Sequence, residues 1–418
     1  MGKMRVSDFV DDQRVRMLMA PLEAACKGKK FSDIIDKDGH QYVDLVMEGG
    51  GVLGIALVGY TYVLEQMGIR FLGIGGTSAG AINALLVASL NPPAEPKSEK
   101  MIDLLANTDL SSFVDGDKDV KRLIKVATES PGMLKLGTRA VQVVDSLRED
   151  LGLNPGLKFH QWLSDALKEE GITTARRLQK RLEDLPKSLR VRKGDKLSVK
   201  EAAPRLALVA ADISTETKVE FPKMAAMYWY DPEIINPADY VRASMSIPFF
   251  FHPFVIEDVP RGKKASQVWQ ELAHYDGPIP EQCVLVDGGV MSNFPIDLFH
   301  SPDQVPIAPT FGAKLGTNER QVLDASGPLS LAGAVFSSAS HCLDYDFVAR
   351  NPDYRELVTW IDTRDHHWLA FDMKPKDKID LFYQGALAAQ QFLIKFNWKG
   401  YKRIRKQLAK AHSASGKS

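Results

Sequence analysis

The sequence predicts an α/β fold: a three-layer sandwich in which helices flank a central, largely parallel sheet, with a helical insertion. Three observations predict it. Two strand-turn-helix units follow one another at 42–67 and 70–90. Short apolar runs resume the strand pattern at 205–210, 218–221, 283–286 and 357–361. Helix-patterned stretches lie between them, and that alternation gives parallel sheets covered on both faces.

The elements follow in chain order. Tyr42-Val43-Asp44-Leu45-Val46-Met47 reads as a strand that runs into Glu48-Gly49-Gly50-Gly51-Val52-Leu53-Gly54 and then a helix with apolar residues through Leu64. Consecutive glycines there free backbone N–H groups to face a cleft at the positive end of a helix. From Phe71 to Leu85 a second apolar strand meets a second apolar helix, and Gly76-Thr77-Ser78-Ala79-Gly80 at the junction fits G-x-S-x-G. A sharp turn of this kind needs small residues and holds one hydroxyl where a substrate can reach it. Ser78 is therefore the candidate nucleophile, with Gly76 and Gly80 forming its elbow. Residues 97–200 are charge-rich and helix-patterned, broken at Pro131-Gly132, Asn154-Pro155-Gly156 and Pro186, and read as a helical insertion or cap. Farther on, Cys283-Val284-Leu285-Val286 leads into Asp287-Gly288-Gly289, a carboxylate on the lip of a short buried strand beside a flexible turn. Ligands in open α/β sheets collect at strand ends. Three such ends would bring a donor pocket, a nucleophile and a base to one crevice. Residues 379–396 carry Ile379, Phe382, Leu387, Phe392 and Phe396 among polar residues and close the fold as a helix. The chain thus divides into an N-terminal segment 1–39, a domain 40–396 with its insertion, and a basic C-terminal tail 397–418.

Composition narrows the function classes. Hydrophobic content of 44% with 25% charged residues is ordinary globular composition for 418 residues. Lys+Arg and Asp+Glu both number 53, so no global field argues for nucleic acid. Cys26, Cys283 and Cys342 are odd in number and widely spaced, without metal-ligand spacing, which suggests a reducing compartment. The first eight residues lack the apolar core of a secretory signal, and Val6 stands where a myristoylation motif wants Ser or Thr, so the expected location is cytoplasmic. Phe71 to Ala94 is uncharged and long enough to span a bilayer, yet its glycines and Ser-Ala-Gly turn make it strand-turn-helix. Lys395 to Leu408 contains no acid and mixes aromatics with cations, as interfacial helices do, which makes the tail the candidate for peripheral membrane contact.

In this order, the glycine loop, the G-x-S-x-G elbow and the Asp-Gly-Gly turn resemble the motifs of patatin-like phospholipases, serine lipid acyl hydrolases. Two further blocks agree. Val241-Arg242-Ala243-Ser244-Met245-Ser246-Ile247-Pro248-Phe249-Phe250-Phe251 resembles the family's A-S-x-[SA]-x-P-x-x-F stretch, and Asp287 to Pro295 resembles the usual continuation toward Asn-x-Pro. The resemblance covers roughly 40–396. One position departs from it: Leu53 stands where the family usually carries Lys or Arg, which leaves the substrate headgroup open.

The resemblance implies a Ser-Asp dyad of Ser78 and Asp287, with Gly49, Gly50 and Gly51 donating to the oxyanion and Gly288 and Gly289 completing the aspartate turn. It implies a lipid ester substrate and neither metal nor organic cofactor; it leaves the oligomeric state open. An ordinary carboxylate, with a pKa near ~3.9, is a weak base for an alcohol, so burial would have to raise it. Met245 and Phe249-Phe250-Phe251 read either as an acyl tunnel or as core. Two other readings stand beside this one. His300, His341, His366 or His367 could complete an α/β-hydrolase triad, or the chain could be a catalytically silent lipid-binding scaffold. Gly49-x-Gly51-x-x-Gly54 has the form of a dinucleotide loop, but Gly73-Ile74-Gly75-Gly76 stands where ribose binding wants an acid.

Overall fold

A computed structural model of the protein describes residues 4–116, 151–194, 196–301, 303–317 and 328–415. Among these, β1 (Ile34–Ile35), β2 (Gln41–Met47), β3 (Ile69–Thr77), β5 (Arg190–Val191), β6 (Arg205–Asp212), β7 (Thr217–Phe221), β9 (Phe254–Ile256), β10 (Cys283–Asp287), β11 (Thr310–Leu315) and β12 (Val358–Ile361) form one sheet. β4 (Gly152–Asn154) and β8 (Phe249–Phe251) pair separately. The main order is β12-β11-β2-β3-β6-β10-β9, and the run from β12 to β6 is parallel. The α/β class, the parallel centre and the flanking helices are as the sequence predicts.

Beyond the parallel centre the sheet is antiparallel: β10 and β7 both run antiparallel to β6, β9 runs antiparallel to β10, and β1 pairs antiparallel with β2 and β5. β7 occupies one edge of β6, pairing Ala210 with Val219. On the other edge β3 pairs Thr77 with Val209, and β10 pairs Asp287 with Ala210. Two strands thus approach along a single edge from opposite directions and stop one residue apart in register.

The two faces can be read from the glycines of β3, because successive side chains alternate. A Cβ on Gly73 or Gly75 would strike Phe299, whereas one on Gly76 would strike Gly80 of helix α4 (Ala79–Ser89). On the α4 face lies α3 (Gly54–Gln66), apolar all round and buried at nearly every position, as an interior helix must be. The closing helix Pro375–Lys395 crosses α3 so closely that a Cβ on Gly59 or Gly385 would overlap the other helix's backbone. On the opposite face the turn Ile296–Phe299 leads to His300, which meets Phe347 of the helix Pro328–Arg350 at 5.4 Å between rings. The uncharged stretch 71–94 is mostly β3, the turn and α4, and among the described residues no helix is long and apolar enough to cross a membrane.

Both ends of the chain pack into this core. Phe9 of α1 (Ser7–Val10) meets Phe382 edge-on at 5.6 Å, and Gln390 donates to the Leu18 carbonyl in α2 (Gln13–Cys26) at 3.0 Å. The basic tail is a docked helix, Trp398–Ser415. Trp398, Tyr401 and Arg405 are buried and face inward. Arg405 Nη1 donates to Asp353 Oδ2 at 3.2 Å, and Lys402 pairs with Asp33. Its contacts with Asp33, Ser301 and Asp353 lie before β2, β11 and β12 respectively, at the end of the sheet opposite the serine turn. The aromatic residues that suggested membrane contact are thus committed to the core, and the exposed face carries Lys399, Arg403, Lys406 and Lys410.

Arg405→Ala would leave the Asp353 charge buried without its partner, at an expected cost of about 3–5 kcal/mol in urea unfolding. Neutralising the exposed Lys399, Arg403 and Lys406 is expected to change stability by less than about 0.5 kcal/mol each.

Candidate active site

Ser78 sits at φ 52°, ψ −119°, between the last residue of β3 and the first of α4. A non-glycine residue at positive φ is strained, and such strain persists only where the surroundings over-determine it. The surroundings here are specific. A Cβ on Gly76 would overlap Gly80, and one on Gly80 would overlap the Met47 carbonyl, so both elbow glycines are needed for strand and helix to approach. The Ser78 N–H donates to Ser244 Oγ at 2.9 Å, and that hydroxyl donates to the Val209 carbonyl at 2.5 Å.

Asp287 ends β10 and is 1% exposed. Its N–H donates to the Ser246 carbonyl at 2.8 Å, and its Oδ1 accepts the Gly289 N–H at 2.8 Å. A Cβ on Gly288 would overlap the Val209 carbonyl, which explains the glycine after the aspartate. The Ser78 hydroxyl lies beside this carboxyl. Oδ2 is buried without a hydrogen bond of ordinary geometry and is left to receive a proton. Burial pushes the Asp287 pKa from 3.8 up to about 7, while the Ser78 hydroxyl and the Gly289 N–H restrain the rise.

The glycine loop leans on the same turn. A Cβ on Gly49 would lie 3.1 Å from Ser78 Cβ. Gly49 N–H donates to the Asn293 carbonyl at 3.1 Å, and Asn293 Nδ2 returns a bond to the Gly49 carbonyl at 3.3 Å. Of the three expected donors, Gly49 therefore already has an acceptor. The N–H groups of Gly50, of Gly51 (φ 56°) and of Ala79 have none among the described residues. Beneath the loop, Glu48 and Lys314, both buried, form an ion pair, and Glu48 Oε2 accepts the Leu315 N–H at 2.7 Å. Leu53 is buried, so the loop's usual cation has no substitute at that position.

Gly51, Ser78 and Ala79 open onto an apolar cavity of about 610 Å³, mouth included, walled by Leu105, Phe113, Phe159, Trp162, Met245, Phe251 and Phe371. Met245 and Phe251 thus serve the tunnel reading. Phe250 stacks on Phe371 at 5.3 Å, and Phe249 is largely exposed. Leu105, Phe113, Phe159 and Trp162 come from the described part of the helical insertion, whose Pro131-Gly132 break lies outside the described residues.

No histidine is among the described residues lining this cavity. His300 contacts the Tyr354 hydroxyl at 3.1 Å, His366 contacts Asp380 at 3.0 Å, and His367 Nδ1 accepts the Leu369 N–H. The side chain of His341 lies outside the described residues. Asp36, Asp38 and His40 lie close enough to share a metal ion. The Asp36 carboxylate is already taken up by the Asp38 and His40 N–H groups, the His40 ring and the Tyr42 hydroxyl. Sequence reasoning missed the roles of Ser244, Ser246 and Asn293. The resemblance placed all three in motif blocks, but only the register shows what they hold.

The sequence profile described as patatin-like phospholipase matches residues 45–300. The chain is 29% identical over 359 residues to the uncharacterized protein YqhO of Bacillus subtilis (strain 168), covering 85% of this chain and 100% of that one. Its structure is similar to that of VipD from Legionella pneumophila, with a TM-score of 0.39 and 15% identity, over 87% of this chain and 70% of VipD.

Between the unfolded pKa of Asp287 and its raised folded value, the folded protein holds a proton that the unfolded chain has released, so stability falls as pH rises through the window from 3.8 to about 7. Asp287→Asn is therefore expected to melt above the parent protein at about pH 8, and the advantage should shrink as pH is lowered toward 5. Thermal melts across that range check it.

Proposed function

Because the chain belongs to the patatin-like phospholipase family, we propose that it cleaves carboxylic ester bonds of lipids through an acyl-serine intermediate, with Ser78 as nucleophile and Asp287 as its base. The observation that carries this reading is the adjacency of a strained serine hydroxyl and a buried carboxyl at the wall of an apolar cavity. Family membership supports lipid hydrolysis in general, and the roles of Ser78 and Asp287 are part of the proposal.

Ser78 Oγ attacks the ester carbonyl carbon while its proton passes to Asp287 Oδ2. The carbonyl oxygen becomes an oxyanion facing the unpartnered N–H groups of Gly50 and Gly51, with Ala79 as a third donor. Fixed donors of this type are worth about 3 kcal/mol each, because they need no reorganisation when charge appears. Gly49, already bonded to Asn293, holds the loop in place. Collapse breaks the bond to the alcohol oxygen, which takes the proton from Asp287 and leaves. Water then attacks the acyl-serine carbonyl, gives its proton to Asp287, and a second collapse returns that proton to Ser78 and frees the fatty acid. A carboxyl raised to about 7 is suited to both roles, since catalytic power is greatest when the pKa lies near the working pH.

Fatty acid release from a panel of phospholipids, lysophospholipids and glycerides tests the proposal. Ser78→Ala and Asp287→Ala are each expected to lower it by roughly 10³-fold or more. Lipid binding without release by the parent protein would point to a scaffold instead. The base must be ionised, so kcat/KM should rise with pH through about 7 and then level off. A profile flat from pH 5 to 8 would contradict the assignment of Asp287.

A further inference from the structure

Beside the cavity at Ser78 lies a second, smaller pocket of about 210 Å³, mouth included. Ile55 of α3 and Leu105 of the helix α5 (Ser98–Asn107) border both. The far end of the second cavity is closed by Phe9, Phe382, Ala106 and Lys378, all buried. Its walls are apolar apart from the Lys378 ammonium. That group is held out of solvent by donating to the carbonyls of Leu105, Ala106 and Thr108 at 3.2, 3.0 and 2.9 Å. The lysine thus caps the end of α5 and fixes the wall that carries Leu105.

An empty apolar space in a packed interior is costly, because its lining atoms lose dispersion partners. One placed directly beside a substrate cavity is filled at least expense by the substrate itself. We infer that the second cavity receives the end of the fatty acyl chain bound at Ser78 and sets the chain length the enzyme prefers. Ile55 and Leu105 are the side chains past which the chain runs, and Phe9 and Phe382 form the stop. The inference rests on the acyl-serine reading and adds a subsite to it. The stop residues Phe9 and Phe382 lie outside the 45–300 stretch matched by the family. Chain-length selection therefore comes from this chain's own N-terminal and closing helices, while the chemistry comes from the shared part. Each methylene that enters such a space is worth roughly fourfold in kcat/KM until the stop is reached, after which further methylenes gain nothing.

The test is the ratio of kcat/KM for long-chain to short-chain p-nitrophenyl esters, from butanoyl to hexadecanoyl. Ala106→Phe fills the second cavity and is expected to lower the ratio by roughly tenfold. Phe9→Leu shortens a stop residue and is expected to move the optimum toward longer chains. The two variants act in opposite directions, so either one that folds, judged by its melting temperature, decides the matter. A profile of parental shape in a folded variant overturns the subsite and leaves the acyl-serine reading standing. Failure of the parent protein to hydrolyse esters of any length removes that reading, and the subsite with it.

Discussion

The geometry at Ser78 and Asp287 depends on two strands that end against each other on one edge of β6. β3 arrives from one direction and stops at Thr77 opposite Val209; β10 arrives from the other and stops at Asp287 opposite Ala210. Neither strand can continue without colliding with the other. Both chains must turn out of the sheet at the same place, and the turns carry Ser78 and the glycines after Asp287. The Val209 carbonyl would have belonged to the ladder of a longer strand. Here it accepts the Ser244 hydroxyl, whose oxygen in turn accepts the Ser78 N–H. Strand pairing on β6, bridged by the Ser244 hydroxyl, therefore holds Ser78 and Asp287, the proposed nucleophile and base, in mutual register.

The same arrangement explains why the site is costly for the fold. A serine at positive φ, a carboxyl with one buried oxygen unbonded and N–H groups without acceptors each oppose folding. They are offset by the dense core beneath them, where α3 and the closing helix cross at Gly59 and Gly385. The unfavourable groups line the apolar cavity or adjoin it, and the stabilising contacts lie behind it. The docked C-terminal helix belongs to the stabilising set and sits at the far end of the strands from Ser78.

Much of this was legible from residue order. The two strand-turn-helix units, their glycines, the strand before Asp287 and the closing helix all carry local signals of period, turn residue or size. What was not legible depends on partners distant in sequence. A short apolar run such as Cys283 to Val286 carries no mark of its direction, so its antiparallel course against β6 could be known only from pairing. β11 was missed because Gly312 and Lys314 interrupt its apolar pattern. Lys314 is tolerated inside only because Glu48 meets it there. The tail did hold a readable clue in Trp398, Tyr401 and Arg405, spaced to share one helix face. An arginine on that face suggests water until Asp353 is seen beneath it. Ser244 and Ser246 look like ordinary small residues until the Val209 carbonyl and the Asp287 N–H are placed beside them.

In the proposed reaction a single hydroxyl, on Ser78, takes up the acyl group. Peptide mass mapping after reaction with a long-chain fluorophosphonate identifies that hydroxyl. A single adduct is expected, on the peptide containing Ser78, formed more slowly when Asp287 is replaced. An adduct on a different residue, or ester hydrolysis by a protein that the reagent leaves unmodified, would contradict it.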